Sequence, residues 1–255
     1  MKRPSFSTII IAFSMAASAC SSHYTIASVS SSSIVIDSRY DRQPVAKAAA
    51  FLTPFKLRVD SVMGPVVGTV AHDMVAIRPE SNLSNLLADI LVWAGKSYGE
   101  EPVMGLYNIG GIRAALTQGE VTYGDVLDVA PFENKIAFIT LSGSQLLKLF
   151  GQIALRGGEG VSRGTELEIG NDGKLLGARL HGKEIDPEQT YRIATINYLI
   201  EGNDGMTALR EGTNLVSPKE KKNDTRFISM DYFREQTAQG KAVDAQVEGR
   251  IFVRN

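Results

Sequence analysis

Hydrophobic positions in this chain fall into short blocks separated by glycine- and asparagine-rich turns. "ESNLSNLLADILVWAGKSYG" repeats apolar residues at helical spacing, and Gly99 closes the run. "DRQPVAKAAAFLTPFKLRVDSVM" also reads as helical, with an interruption expected before Pro54. "VMGLYN", "KIAFITLS" and "TYRIATIN" are compact apolar runs of strand length. "SGSQLLKLFGQIALRGG" predicts a helix with glycine stops, and "EVTYGDVLDVAPF" a short helix or turn. "TELEIGNDGKLLGARLHGKEI" predicts a hairpin meander about an Asn-Asp-Gly turn, and "VEGRIFVRN" closes the chain. Helices and strands mix without strict alternation and without a repeat of fixed period. The fold class expected is therefore α+β, with mixed β-sheets and packed helices.

The N-terminus follows a different pattern. Lys2 and Arg3 precede the apolar stretch "STIIIAFSMAASAC", the pattern of a secretory signal peptide. Cys20, the sole cysteine, follows Ala19, which resembles a bacterial lipoprotein signal whose cysteine is lipidated; Ala17 stands where leucine is commonest. The expected organisation is a lipoprotein signal peptide over 1–19, a Ser-rich tether over 20–32 and a globular domain over 33–255. β-branched residues on both sides of "SSSS" predict a hairpin leading into that domain. The expected location is the cell envelope, on a lipid-anchored membrane face.

Composition narrows the chemistry by exclusion. With 255 residues, 44% of them apolar, the chain can bury a sizeable core in one or two domains. A net charge of -1 argues against a nucleic-acid polymer as partner. His23, His72 and His181 are scattered and supply no ligand-spaced cluster, so no metal site is expected in this chain. There is no Gly-x-Ser-x-Gly elbow, and the lone cysteine sits at the lipidation position. No catalytic residue is therefore assigned, and none of the domain's stability comes from a disulfide.

What remains is a set of groups carried on turns. "LYNIGGIR" ends an apolar run at Asn108 and delivers Arg113 through Gly110 and Gly111, which permit close backbone approach to a ligand. Arg113 can offer a two-pronged fork to a phosphate or diol. "APFEN" presents Phe132 and Asn134 after a proline, an aromatic face on a loop. "NYLIEGNDG" presents Tyr198 and then Asp204, whose carboxylate can accept two hydroxyl hydrogen bonds. Each has a plainer reading: the Asn/Gly sequences form turns anyway, Phe132 could be core, and Tyr198 could be a half-buried strand residue.

Together these blocks resemble the C-terminal domain of the 5'-nucleotidase/UDP-sugar hydrolase family. The resemblance covers almost everything after the tether: "ESNLSNLLAD", "NIGGIRAALTQGEVTYGDVLDVAPFEN", "TYRIATINYLIEGNDG" and "VEGRIF", in order. In that family the C-terminal domain binds the nucleoside part of the substrate, and a separate calcineurin-like domain holds two metals. The resemblance implies one pocket formed by Asn108, Gly110, Gly111, Arg113, Phe132, Asn134, Tyr198 and Asp204, with the base between Phe132 and Tyr198. It carries over Arg78 as well, near the family's arginine ahead of the "ESNLSN" helix. Two positions depart from the family pattern: Tyr198 stands where phenylalanine is usual, and Asn203 where a glycine is frequent, which stiffens the loop before Asp204.

The segment ahead of Val59 is too short for the family's metal domain, which leaves three readings. The chain is the nucleotide- or nucleoside-binding half of a split 5'-nucleotidase, whose two divalent metals lie on a partner metallophosphatase chain. Alternatively it is a non-catalytic nucleotide- or nucleoside-binding lipoprotein, or it keeps the fold with a dead or repurposed pocket.

Overall fold

The computed structural model describes residues 26–40, 42 and 45–254. The signal segment, Cys20 and His23 lie outside the described residues. The chain divides into two units, one up to Phe51 and one from Leu52 onward. Residues 26–37 form no strand and are exposed, so the expected hairpin is absent there. A two-stranded hairpin without a third strand or a packing surface is marginal in water.

Helix α1 spans Ala46–Met63 and runs through Pro54 without the expected interruption. The helix buries no residue, so the carbonyl that loses its partner to the proline ring is free to face water. No helix among the described residues is long and apolar enough to cross a membrane.

The fold is α+β with mixed sheets and packed helices, as the block pattern predicts. Its central sheet has five strands in the order β10-β4-β9-β2-β5. These are β2 Met104–Tyr107, β4 Ile136–Ser142, β5 Gly160–Val161, β9 Thr190–Ile196 and β10 Thr213–Val216. A four-stranded sheet, β11-β6-β7-β8, comprises β6 Thr165–Gly170, β7 Leu175–Leu180, β8 Lys183–Glu184 and β11 Ile251–Arg254. Here the Asn-Asp-Gly meander appears as expected, and the closing strand pairs in parallel with β6. A third, two-stranded sheet joins β1 Val66–Val70 to β3 Gly119–Thr122.

Helix α2, Asn82–Ala94, buries Leu83, Leu86, Leu87, Ile90 and Leu91, each such side chain contributing about 1.5–3 kcal/mol by leaving water. It packs on β2 at Gly105, where an added Cβ would lie 2.2 Å from the Ala88 carbonyl oxygen. Helices α3, Tyr123–Val129, and α4, Gly143–Leu155, both start with reciprocal capping boxes, Thr122 with Asp125 and Ser142 with Gln145. The short helix α5, Asn197–Ile200, follows β9 directly. Helix α6, Thr225–Ala238, buries Thr225, Arg226, Ile228, Ser229, Met230 and Phe233. Its mixed polar and apolar buried face gives no clean helical stripe, so sequence pattern alone does not reveal it.

Strand direction decides what meets what. β2 and β9 are parallel neighbours, with Met104 opposite Ile193 and Gly105 opposite Ala194. Their C-terminal ends therefore open on the same side of the sheet. β4 runs antiparallel to β9, with Ile136 opposite Ile196, so the loop entering β4 arrives on that side too. The segments following β2, preceding β4 and following β9 thus converge, as ligand loops do at the carboxyl ends of strands.

Candidate functional site

Where the three segments converge lies a cavity of about 300 Å³. Its walls are Asn108, Gly110, Gly111, Arg113, Phe132, Asn134, Tyr198 and Asp204. Eight of the nine residues named from sequence thus surround one cavity, of the size that suits small ligands.

The two glycine turns meet through their polar side chains. Asn108 Nδ2 donates to Asp204 Oδ2 at 2.7 Å, across 96 positions of sequence. Asn108 is buried, and its Oδ1 has no hydrogen-bond partner among the described residues. An orphaned buried acceptor costs about 1–3 kcal/mol unless a ligand donor or water reaches it. Gly111 is required beside it: a Cβ there would stand 2.6 Å from Asn108 Oδ1.

The second turn is pinned on both sides. Gly202 has φ of 75°, and a Cβ on it would lie 2.4 Å from Arg210 Nε. Asn203 Nδ2 donates to the Tyr198 carbonyl at 2.9 Å, a bond that a glycine at this position would lack. Asp204 itself adopts φ of 54°, a left-handed conformation that aspartate tolerates and that recurs where side chains are presented for function. The Tyr198 hydroxyl donates to Asp204 Oδ1 at 3.5 Å. Partial desolvation, and secondarily the Asp204 charge, push the Tyr198 phenol above its ordinary pKa.

Phe132 is 48% exposed and Tyr198 36%. Phe132 is therefore not a core residue, and Tyr198 lies in the short helix α5 rather than in a strand. Arg113 is exposed, its guanidinium donating only to the Gly110 carbonyl at 3.4 Å, and among the described residues no carboxylate pairs with it. A charged fork left without an anion beside a cavity is suited to receiving one.

Arg78 is the ninth residue, and it stands apart from the cavity wall. It lies in the segment entering α2, donating through Nε to the Gly158 carbonyl at 2.9 Å and through Nη2 to Glu159.

Several residues supporting the site carry no motif. Asp224, at the head of α6, is fully buried between Lys135 and Arg226, with Arg226 Nη2 at 2.9 Å. Arg226 also donates to the Pro131 carbonyl at 3.2 Å, and the Thr225 amide donates to the Asn134 carbonyl at 2.9 Å. These bonds fix the loop that presents Phe132. Glu159, also fully buried, accepts from the Ile109 amide at 2.6 Å and from Arg156 Nε at 2.7 Å. Arg156 Nη2 lies 3.5 Å from Asp204 Oδ1. The hydrogen bond to Glu159 raises the Arg156 pKa further above its already high ordinary value.

A family model described as 5'-nucleotidase, C-terminal domain, matches residues 66–211. The chain belongs to that family. Every cavity-lining residue falls inside the span matched to the 5'-nucleotidase C-terminal domain. Protein UshA of Yersinia enterocolitica is 30% identical over 215 residues, covering 78% of this chain and 36% of that protein. The trifunctional nucleotide phosphoesterase YfkN of Bacillus subtilis is 28% identical over 237 residues, covering 85% of this chain and 16% of YfkN. Among solved structures, the 5'-nucleotidase precursor from Thermus thermophilus superposes with a TM-score of 0.70 at 30% identity, over 82% of this chain and 43% of that one. The chain spans about a third of the length of the first curated relatives it matches. In 5'-nucleotidases the metal site lies in the N-terminal domain, and no group of three or more His, Cys, Asp or Glu side chains among the described residues could hold a metal.

The exposure of the two rings predicts their energetic role. Phe132→Ala and Tyr198→Ala are each expected to change unfolding free energy by about 0.5 kcal/mol or less, as surface substitutions do. A loss of about 3–5 kcal/mol in denaturant titration, the cost of a core cavity, would contradict the placement of Phe132 on the cavity wall.

Proposed function

We propose that this chain binds a nucleotide or nucleoside and serves as the substrate-binding half of a split envelope 5'-nucleotidase. Phosphomonoester hydrolysis would take place at two divalent metals held by a metallophosphatase chain, the partner of this one. The carrying observation is the cavity that combines two exposed aromatic rings, an unpaired arginine and an orphaned buried amide oxygen. Each matches one part of a nucleotide. Phe132 and Tyr198 offer stacking faces to the base, which tolerates different bases because every base has a π-face. Asp204 accepts from the ribose hydroxyls, and Asn108 Oδ1 takes a further donor. Arg113 receives a phosphate oxygen. The names of the relatives, a nucleotide phosphoesterase and a 5'-nucleotidase, support the same substrate class.

This chain's own residues bind and orient; the metals of the partner would activate the water that attacks phosphorus. In this reading the chain is tethered to the envelope membrane through lipidated Cys20, which places the cavity in the compartment where an exported phosphatase meets nucleotides.

Three measurements bear on this reading. By calorimetry, Phe132→Ala or Tyr198→Ala is expected to weaken adenosine and AMP binding by about 1–3 kcal/mol, the worth of one base–aromatic stack. Tyr198→Phe should keep affinity, since stacking needs the ring; affinities untouched by either alanine would exclude the sandwich. The purified chain without its partner is expected not to hydrolyse AMP when divalent metals are added. Turnover that Asp204→Ala abolishes would overturn the split arrangement. For anchoring, Cys20→Ala should move the protein from the membrane to the soluble envelope fraction, and unchanged membrane retention would remove the lipid anchor from the account.

A further inference from the structure

β2 pairs antiparallel with β5, Tyr107 standing opposite Gly160 and Leu106 opposite Val161. The residues next along each strand, Asn108 leaving β2 and Glu159 entering β5, therefore come side by side. Glu159 Oε2 takes the amide hydrogen of Ile109, the first residue of the glycine turn after Asn108. Its other oxygen takes the Nε–H of Arg156, which closes α4. Arg156 then turns its Nη2 toward Asp204 Oδ1.

A carboxylate with no exposed surface is costly unless its charge and lone pairs are matched. Here the matching reaches both members of the Asn108–Asp204 pair from behind: one by way of the Ile109 amide, the other by way of the guanidinium. Arg78 supplies a second cation to Glu159, so Arg156 is not bound to neutralise it alone. Arg156 is one-third exposed and sits between two acids, one buried and one on the cavity wall.

We propose that Glu159 and Arg156 form a positioning pair that sets the direction of the Asp204 carboxylate, and so decides how the site discriminates between sugars. Glu159 is the fixed end, anchored to the first turn. Arg156 is the arm, its Nη2 3.5 Å from Asp204 Oδ1, while Asn108 donates to Oδ2; the Tyr198 hydroxyl, also 3.5 Å from Oδ1, is the partner that a ribose hydroxyl replaces. With both oxygens constrained, the remaining lone pairs point in a set direction, toward a vicinal diol rather than a single hydroxyl. The inference rests on the nucleoside-binding reading and adds to it two residues that do not line the cavity.

The test compares adenosine with 2'-deoxyadenosine by calorimetry on the full chain. The wild-type protein should prefer adenosine by about tenfold, the worth of one hydrogen bond to a charged acceptor. Arg156→Met keeps the aliphatic stem and removes the arm. It should stay folded while the preference falls toward one, a change that a merely structural role would not produce. Glu159→Gln places an amide nitrogen against either the Ile109 N–H or the guanidinium, donor facing donor. It should weaken both nucleosides by at least about tenfold, because a buried partner is left unmatched. If it fails to fold, Arg156→Met decides alone. A wild-type chain that binds neither nucleoside would overturn the nucleoside reading itself. Binding with the preference unchanged in Arg156→Met would overturn the positioning pair and leave that reading standing.

Discussion

The parallel pairing of β2 with β9 is the constraint on which the site depends. Two parallel neighbours must end on the same side of their sheet, whatever separates them in sequence. Met104 opposite Ile193 sets the register, and the turns that follow then lie within side-chain reach of each other. The 2.7 Å bond from Asn108 to Asp204 is the result. Antiparallel β4 completes the arrangement by bringing the Phe132 loop to the same edge.

Two buried carboxylates stiffen this edge from behind. Asp224 sits between Lys135 and Arg226 under the loop that carries Phe132, and Glu159 between Arg78 and Arg156 under the glycine turns. Replacing such clusters by apolar packing often leaves stability equal or better. Their value here is geometric: each ties a loop that has little core of its own to a helix end. The cavity can then keep exposed aromatic rings and an orphaned acceptor in the ligand-free chain, groups that a flexible loop would fold away or hydrate.

Much of this was legible in the sequence, and the part that was not has a common cause. Contiguous signals were readable: the leucine spacing of α2, the apolar runs of β2, β4 and β9, and the Asn-Asp-Gly turn between β6 and β7. The turns that carry Asn108, Arg113 and Asp204 were readable too, through their glycines and asparagines, whereas their meeting in one pocket was implied only by the family resemblance. Arg156, Glu159, Asp224 and Arg226 gave no local signal, since each takes its role from partners that only the fold brings near. Arg78, which the resemblance assigns to substrate binding, reaches Gly158 and Glu159 and does not line the cavity. Pro54 shows the limit of local rules from the other side. A proline predicts a break, and an exposed helix carries it without one.

The central claim is that the convergent loops form a nucleoside pocket in the chain as it folds. Determining the structure of the chain with adenosine bound tests it most directly. The account predicts the adenine ring between Phe132 and Tyr198, the ribose hydroxyls on Asp204, and Asn108 Oδ1 newly hydrogen-bonded. Adenosine seated elsewhere on the molecule, or a cavity that stays empty at saturating nucleoside, would contradict it.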